Sequence, residues 1–123
     1  MKKLFVAMFF VLMVAGCTTL SVGPEEENRC GPRPSYDDAS RAAQVYVDGY
    51  GFKDPSSAQI RDIQIGNRAK WYRGVVNGGG YNYGWEIIFK VNAKNSFGGY
   101  VGYKSRTVLL SPGGNVQWRY EVE

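Results

Sequence analysis

The sequence has no histidine, and this absence excludes several kinds of chemistry. Its 123 residues also include only two cysteines, Cys17 and Cys30. Catalytic Ser-His and Cys-His pairs are therefore impossible, and the side chain that most often binds zinc is missing. Asp62 and Glu86 could meet across a sheet, but one such pair with no identified cleft is weak support for glycoside hydrolysis. We therefore predict that the protein is not an enzyme and has no metal and no cofactor.

Long apolar runs are also missing, with one exception near the N-terminus. Lys2 and Lys3 precede the apolar run 4–14, which is shorter than the roughly 20 residues that a membrane-spanning helix needs. The next residues, Val14-Ala15-Gly16-Cys17, resemble the lipobox of bacterial lipoproteins. A buried helix and an ordinary signal peptide with an incidental cysteine are the alternatives. We predict a lipoprotein signal peptide over residues 1–16.

The lipobox resemblance implies how Cys17 is modified and where in the cell envelope the protein is located. It implies cleavage before Cys17, diacylglycerol on its thiol and an acyl chain such as palmitate on its new amine. Each buried methylene contributes about 0.8 kcal/mol, so three chains anchor a protein durably. Thr18 stands where an Asp would favour the inner membrane. We therefore predict a lipid anchor in the outer membrane, facing the periplasm.

Net charge is low once residues 1–16 are set aside. The sequence has 15 Lys and Arg residues against 11 Asp and Glu residues. Without Lys2 and Lys3, thirteen basic residues remain and the net charge is +2. No basic stripe is visible, so we predict no nucleic-acid partner.

The segment that follows Cys17 is polar and contains three prolines. Such a composition cannot bury enough apolar surface to offset the entropy of ordering, so we predict that residues 17–34 are the lipidated cysteine and a flexible tether. Within it Cys30 has no partner in the chain, because Cys17 carries lipid. Cys30 could form an intermolecular disulfide in an oxidising compartment, or it could be an ordinary thiol near a domain edge.

Residues 35–123 have the pattern of a single α+β domain. Ser35 is placed to cap a helix whose apolar stripe runs from Ala39 to Tyr50, with Gly49 and Gly51 ending it. Strand-like segments follow at 60–65, 70–76, 85–91, 100–110 and 116–122, with turns at Asn67 and in the glycine-rich stretch 77–84. The spacing of Ile60 and Ile63 predicts a bulge or a late strand start. We predict one N-terminal helix on an antiparallel sheet of four to five strands.

Two motifs in this domain resemble motifs of small exported bacterial proteins. They are KDPSSA at Lys53–Ala58 and NAKNSFGGYVGY at Asn92–Tyr103, in that order along the chain. In the family the preceding strand often ends in Cys-Gly-Glu, whereas Ile88-Phe89-Lys90 stands there in this sequence. The resemblance implies a shared fold and an envelope setting, and it implies no activity.

Two polar, aromatic stretches are the candidate binding regions. Tyr81 and Tyr83 lie in the glycine-rich connection, where they could stack on a sugar ring or a peptide. Lys94, Asn95 and Tyr100 could form a polar surface for peptidoglycan or an envelope protein. The alternative for the second stretch is architectural: asparagines satisfy the turn amides, and the glycine pair at 98–99 permits a bulge.

These observations favour a binding or assembly module of the cell envelope. We expect a membrane attachment through lipid and a partner that is an envelope protein or peptidoglycan. The alternatives are an inhibitor of a cell-wall-degrading enzyme and a wall hydrolase that uses Asp62 and Glu86.

Overall fold

One helix lies across a four-stranded antiparallel sheet in the computed structural model, which describes residues 21–119. The strands follow each other in chain order, and each pairs with its neighbours. The regular elements are α1 (Tyr36–Tyr50), β1 (Gln59–Tyr72), β2 (Tyr81–Asn92), β3 (Lys104–Leu110) and β4 (Val116–Gln117). Short 3-10 helices occur at Pro24–Cys30, Pro55–Ser57 and Val75–Asn77. The predicted α+β class is confirmed. The described sheet has four strands, the lower of the two predicted numbers.

The helix α1 begins where the sequence predicts. The Ser35 hydroxyl accepts a hydrogen bond from the Asp38 amide at 3.1 Å, and the Asp38 carboxylate accepts one from the Ser35 amide at 3.1 Å. These two bonds satisfy amides that a helix start leaves unpaired. Gly51 ends the helix at φ 105°. Gly49, which was expected to help end it, lies inside the helix, where a β-carbon would come within 2.8 Å of the Trp118 ring.

The core lies between α1 and one face of the sheet. On β2 the alternating residues Trp85, Ile87, Phe89 and Val91 are buried, as their spacing predicts. The small alanines of α1 allow it to approach the sheet closely. The main buried cluster consists of Ala39, Ala42, Ala43, Tyr46, Val47, Ile87, Phe89, Val91 and Val108.

The first strand is longer than expected. β1 continues through Asn67, where a turn is predicted, so the two predicted strands 60–65 and 70–76 form one strand that ends at Tyr72. The pairing of β1 with β2 accommodates extra residues at two register shifts. One lies between Arg61 and Gln64, and the other lies between Ile65 and Arg68. The first shift confirms the predicted bulge after Ile60. A bulge accommodates an extra residue without ending the strand, so a turn-forming residue there does not break the pairing.

The last strand is shorter than expected within the described residues. Alternating residues from Val116 to Val122 predict a long strand, but β4 has only two residues, Val116 and Gln117. Trp118 leaves the ladder and contacts Tyr46, with ring centres 5.7 Å apart. Tyr120 and Val122 lie outside the described residues.

The segment 24–30 is docked on the sheet, which differs from the predicted flexible tether. Its 3-10 helix places the Glu26 carboxylate 3.1 Å from the Lys70 ammonium and 2.9 Å from the Tyr83 hydroxyl, which donates to it. Cys30, at the end of this helix, is 2% exposed. Partners 44 and 57 residues away in the chain therefore order a segment that is too polar to order itself.

Within residues 21–119, no helix combines the length and apolarity that crossing a bilayer requires. The predicted signal peptide and Cys17 lie outside the described residues.

Candidate functional site

A cavity of about 450 Å3 lies beside Trp85, where three parts of the chain meet. These parts are the extended segment 31–34, one side of α1 and the turn between β3 and β4. Pockets for small molecules or for an inserted side chain typically have volumes of this order. The apolar or weakly polar lining comes from Cys30, Pro32, Pro34, Ala42, Val45, Trp85, Leu110, Pro112 and Val116.

Two local features build the wall formed by residues 31–34. The Trp85 indole N–H donates to the Gly31 carbonyl at 3.1 Å, which holds the segment against the sheet. Gly31 has φ 74°, and a β-carbon there would lie 2.9 Å from Pro112. Only glycine combines this backbone conformation with so close an approach to the turn. Pro32 and Pro34 then restrict the extended chain.

Two arginines lie at the cavity. The Arg33 guanidinium is 5.8 Å from the Trp85 ring centre, and it has no ion pair among the described residues. Arg41 contacts the Asp38 carboxylate at 3.1 Å, in an exposed pair. Hydrogen bonds from Ser35 are the main reason that the pKa of Asp38 lies below its ordinary value, and the bond from Arg41 adds to them. The cavity therefore combines an apolar interior with an available guanidinium.

Cys30 borders the cavity, and its thiol is inaccessible to solvent. Its sulfur lies 3.9 Å from the Ala69 carbonyl oxygen, under the N-terminal 3-10 helix. Burial raises the pKa of this thiol, so it remains protonated at neutral pH and reacts poorly. The polar sequence around Cys30 favours an exposed thiol, but the folded chain buries it. The predicted intermolecular disulfide would require this segment to open.

Tyr81 and Tyr83 lie on β2 and have different surroundings. The Tyr83 hydroxyl is bonded to Glu26, so this side chain helps to hold the 3-10 helix. Tyr81 is partly exposed and meets Tyr72 of β1 edge to face, with ring centres 5.8 Å apart. The Lys70 ammonium lies 5.1 Å from the Tyr81 ring centre. Tyr81 is the more exposed of the predicted pair, since Tyr83 is half-buried and the Arg29 guanidinium lies 5.2 Å from its ring centre.

Asn95 organises the loop between β2 and β3. Its side-chain oxygen accepts hydrogen bonds from the Phe97 amide at 2.9 Å and from the Gly99 amide at 3.1 Å. This geometry is the architectural role that the sequence analysis gives as the alternative. The loop places Phe97 outward, with 95% of its side chain exposed.

Lys94 and Tyr100 face each other across the base of the same loop. They form an isolated bridge, and the Lys94 ammonium lies 5.5 Å from the Tyr100 ring centre. The Tyr100 hydroxyl donates to the Ser57 carbonyl at 3.0 Å. Both side chains therefore support the loop as well as contributing to its surface.

The two predicted binding regions do not form one site. Tyr81 begins β2 and Asn92 ends it, so the two groups are separated by about 36 Å at the usual rise along a strand. The structure instead places a tyrosine pair at one end of the sheet and the Asn95 loop at the other.

Asp62 and Glu86 are not brought together as a pair. Asp62 lies in the first bulge of β1, opposite the part of β2 between Ile88 and Lys90. Its carboxylate is 3.7 Å from the Lys90 ammonium. Glu86 lies about three residues further along β2, roughly 10 Å away at the usual strand rise. In residues 21–119, no group of three or more Cys, Asp or Glu residues is placed to hold a metal ion.

The cavity and the exposed valines of the 73–80 loop are not predicted from the sequence. The cavity walls come from segments near residues 33, 42 and 112, which no local pattern connects. Val75 and Val76 have the composition of a strand, yet they form a 3-10 turn and are 81% and 97% exposed. The three glycines at 78–80 could have indicated the exposed valines, because such a run predicts a tight turn close after them.

Comparisons of this chain with protein-family models, with curated proteins and with solved structures found no match.

Proposed function

We propose that the protein is a binding module of the bacterial cell envelope, attached through acylated Cys17 to the periplasmic face of the outer membrane. Its binding site is the cavity beside Trp85. The ligand class that fits is a peptide segment of an envelope protein with an apolar side chain next to a carboxylate. The observation that carries this proposal is the cavity itself, with its apolar lining and Arg33 at its edge.

The apolar lining supports a ligand that inserts a side chain. Trp85, Leu110 and Val116 surround a volume of about 450 Å3, and removing a ligand side chain from water there is favourable. The prolines of the wall add stiffness, so little ordering entropy is lost on binding.

The charges support an acidic group next to that side chain. Arg33 has no carboxylate partner in the described part of the chain, and a guanidinium binds a carboxylate through two parallel hydrogen bonds. Arg41 already has Asp38, so we expect it to contribute less.

Photocrosslinking in intact cells tests the cavity. A photoreactive amino acid replaces Val45, which lines the cavity and is partly exposed. The control position is Gln44, which is exposed on the same helix and is not part of the cavity lining. We expect a discrete cross-linked product from position 45, reduced by Arg33→Ala, and none from position 44. Equal products from both positions, or none from position 45, would exclude the cavity as the binding site.

Metabolic labelling tests the anchor separately. Labelled palmitate should enter the protein, and Cys17→Ser should abolish both the labelling and the recovery in the outer-membrane fraction. Unchanged fractionation of Cys17→Ser would show that the proposed attachment is wrong.

A second candidate function is inhibition of a cell-wall-degrading enzyme. It is favoured by Phe97, which is 95% exposed on a loop that Asn95 holds in one conformation. A rigid loop with a protruding aromatic side chain is suited to enter a foreign cleft. Excess protein should then inhibit lysozyme, Phe97→Ala should relieve the inhibition and Val76→Ala should not. Full lysozyme activity in excess protein would exclude inhibition of this enzyme.

A further inference from the structure

We propose that the loop between β1 and β2, residues 73–80, inserts Val75 and Val76 into the surface of the bilayer to which Cys17 is attached. The protein would then contact its membrane at two points, the acyl chains and this hairpin tip. The inference rests on the lipid anchor of the proposed function and goes beyond it, because it assigns a membrane-contact site and an orientation.

The fold holds both valines outward. Val75 is 81% exposed and Val76 is 97% exposed, and they are adjacent in a single 3-10 turn. The Gly79 amide donates to the Gly74 carbonyl at 3.0 Å, and the Asn77 side chain donates to the Arg73 carbonyl at 3.1 Å. The turn is therefore closed by its own hydrogen bonds, and nothing in it covers the apolar pair.

The residues behind the valines suit the interface between lipid and water. Tyr72 and Tyr81 are the last and first strand residues on either side of the loop, and they stack edge to face. Both are partly exposed. Tyrosine is enriched at the headgroup level because one end of its side chain is apolar and the other binds water. A valine tip with a tyrosine pair behind it therefore matches the order of layers from acyl chain to headgroup.

The N-terminal segment leads toward the same end of the sheet. Gly31 contacts Trp85, whereas Glu26 contacts Tyr83, so the chain followed toward its N-terminus moves along β2 toward Tyr81. Tyr83 is two residues, about 7 Å, from Tyr81. Gly23 is six positions after Cys17, and six chain steps can span at most about 20 Å. An anchor at Cys17 therefore keeps the bilayer close to this end of the protein.

The charged side chains near the 73–80 loop are nearly balanced, so they give no strong preference for anionic lipid. Glu25 and Glu27 are exposed near this end, and Arg29, Arg73 and Arg119 oppose them, the last lying 4.0 Å from the Trp71 ring centre. The Lys70 ammonium is already paired with Glu26. Because the basic side chains outnumber the acidic ones by only one, the contact depends mainly on the apolar pair, and zwitterionic lipid is sufficient.

A fluorescent label tests the orientation in the lipidated full-length protein. Val76→Cys is labelled with an environment-sensitive dye, and the protein is reconstituted in vesicles of zwitterionic phosphatidylcholine and phosphatidylethanolamine. Phe97→Cys is the matched control, since Phe97 is equally exposed but lies beyond the opposite end of β2. Both positions are on the surface, so neither change threatens the fold, and the buried Cys30 thiol reacts much more slowly than an exposed one during brief labelling.

We expect a blue-shifted emission and several-fold slower quenching by aqueous iodide at position 76, and full quenching at position 97. Equal quenching at the two positions, with palmitate present on Cys17, would overturn the membrane contact and leave the anchor intact. Protection at position 97 in place of position 76 would overturn the orientation. Absence of palmitate on Cys17 would overturn both the anchor and this inference. Protection that appears only with anionic lipid would overturn the apolar mechanism.

Discussion

The loops at the two ends of β2 are constructed in different ways. The loop before β2, residues 73–80, has three consecutive glycines with positive φ, at 89°, 70° and 79°. The loop after β2, residues 93–103, relies on asparagine side chains: Asn95 binds two amides, and Asn92 accepts a bond from the Gly102 amide at 2.9 Å. Three consecutive glycine conformations dominate the first loop, whereas the second combines separate positive-φ glycines, at 98 and 102, with hydrogen bonds to two buried or turn-forming asparagines.

The loops also differ in what they are attached to. The second loop is tied to the start of β1 by two tyrosine hydroxyls, since Tyr100 donates to the Ser57 carbonyl and Tyr103 bonds the Gln59 side chain. The first loop extends beyond the sheet, and the docked 3-10 helix lies only against the strands behind it. One end of the protein is therefore stabilised from within, whereas the other end presents an apolar turn to its surroundings.

The largest effect is expected from Gly84→Ala, near the first loop. A β-carbon at Gly84 would meet the Leu110 carbonyl oxygen and would lie 2.9 Å from the Ser111 α-carbon. Since these are backbone atoms, the strands must separate, and we expect a loss of about 3 kcal/mol in the free energy of unfolding. Urea denaturation measures this. Gly99→Ala, near the second loop, is the control, because its nearest neighbour would be 3.9 Å away. Equal stability losses in the two variants would contradict the close approach of β2 and β3.

A smaller but substantial effect is expected from Asn92→Ala. Asn92 is buried, and its removal leaves the Gly102 amide without its acceptor. The expected loss is about 2 kcal/mol in the free energy of unfolding, again by urea denaturation. Asn77→Ala in the first loop is the matched change, and since Asn77 is exposed we expect less than about 0.5 kcal/mol. Similar losses at the two positions would remove the contrast between the loops.

The smallest effect is expected from Glu26→Gln. A hydrogen bond from the Gly23 backbone, followed by those from Lys70 and Tyr83, holds the pKa of Glu26 below its ordinary value of 4.5. A lowered pKa in the folded state stabilises the protein above the unfolded pKa, and this contribution is lost as pH falls through the folded pKa. Glu26→Gln should therefore lower the melting temperature slightly at pH 7, and the difference should disappear well below pH 4.5. A difference that grows on acidification would contradict the assigned ion pair.

The parts of the fold that depend on neighbouring residues could be predicted from the sequence. Ser35 and Asp38 lie three residues apart and define the start of α1 by themselves. The alternation from Trp85 to Val91 correctly identifies the buried face of β2, because side chains in a strand point to alternate faces.

The parts that depend on distant residues could not be predicted. The 3-10 helix at Pro24–Cys30 is docked on the sheet because Glu26 meets Lys70 and Tyr83, and no local pattern encodes those contacts. The cavity beside Trp85 likewise needs a glycine at residue 31 and a proline at residue 112 to come together. The bulge at Asn67 has the composition of a turn, and only its pairing with β2 shows that the strand continues.

The burial of Cys30 makes this thiol a natural probe of the segment above it. A reagent can reach the sulfur only while the 3-10 helix is lifted from Ala69, so the rate of thiol modification in the folded protein follows the frequency of that opening. Stopped-flow measurement of this single reaction would give the opening equilibrium of the stretch closest to Cys17. The result would show how firmly the segment that leads to the proposed anchor at Cys17 is held against the sheet.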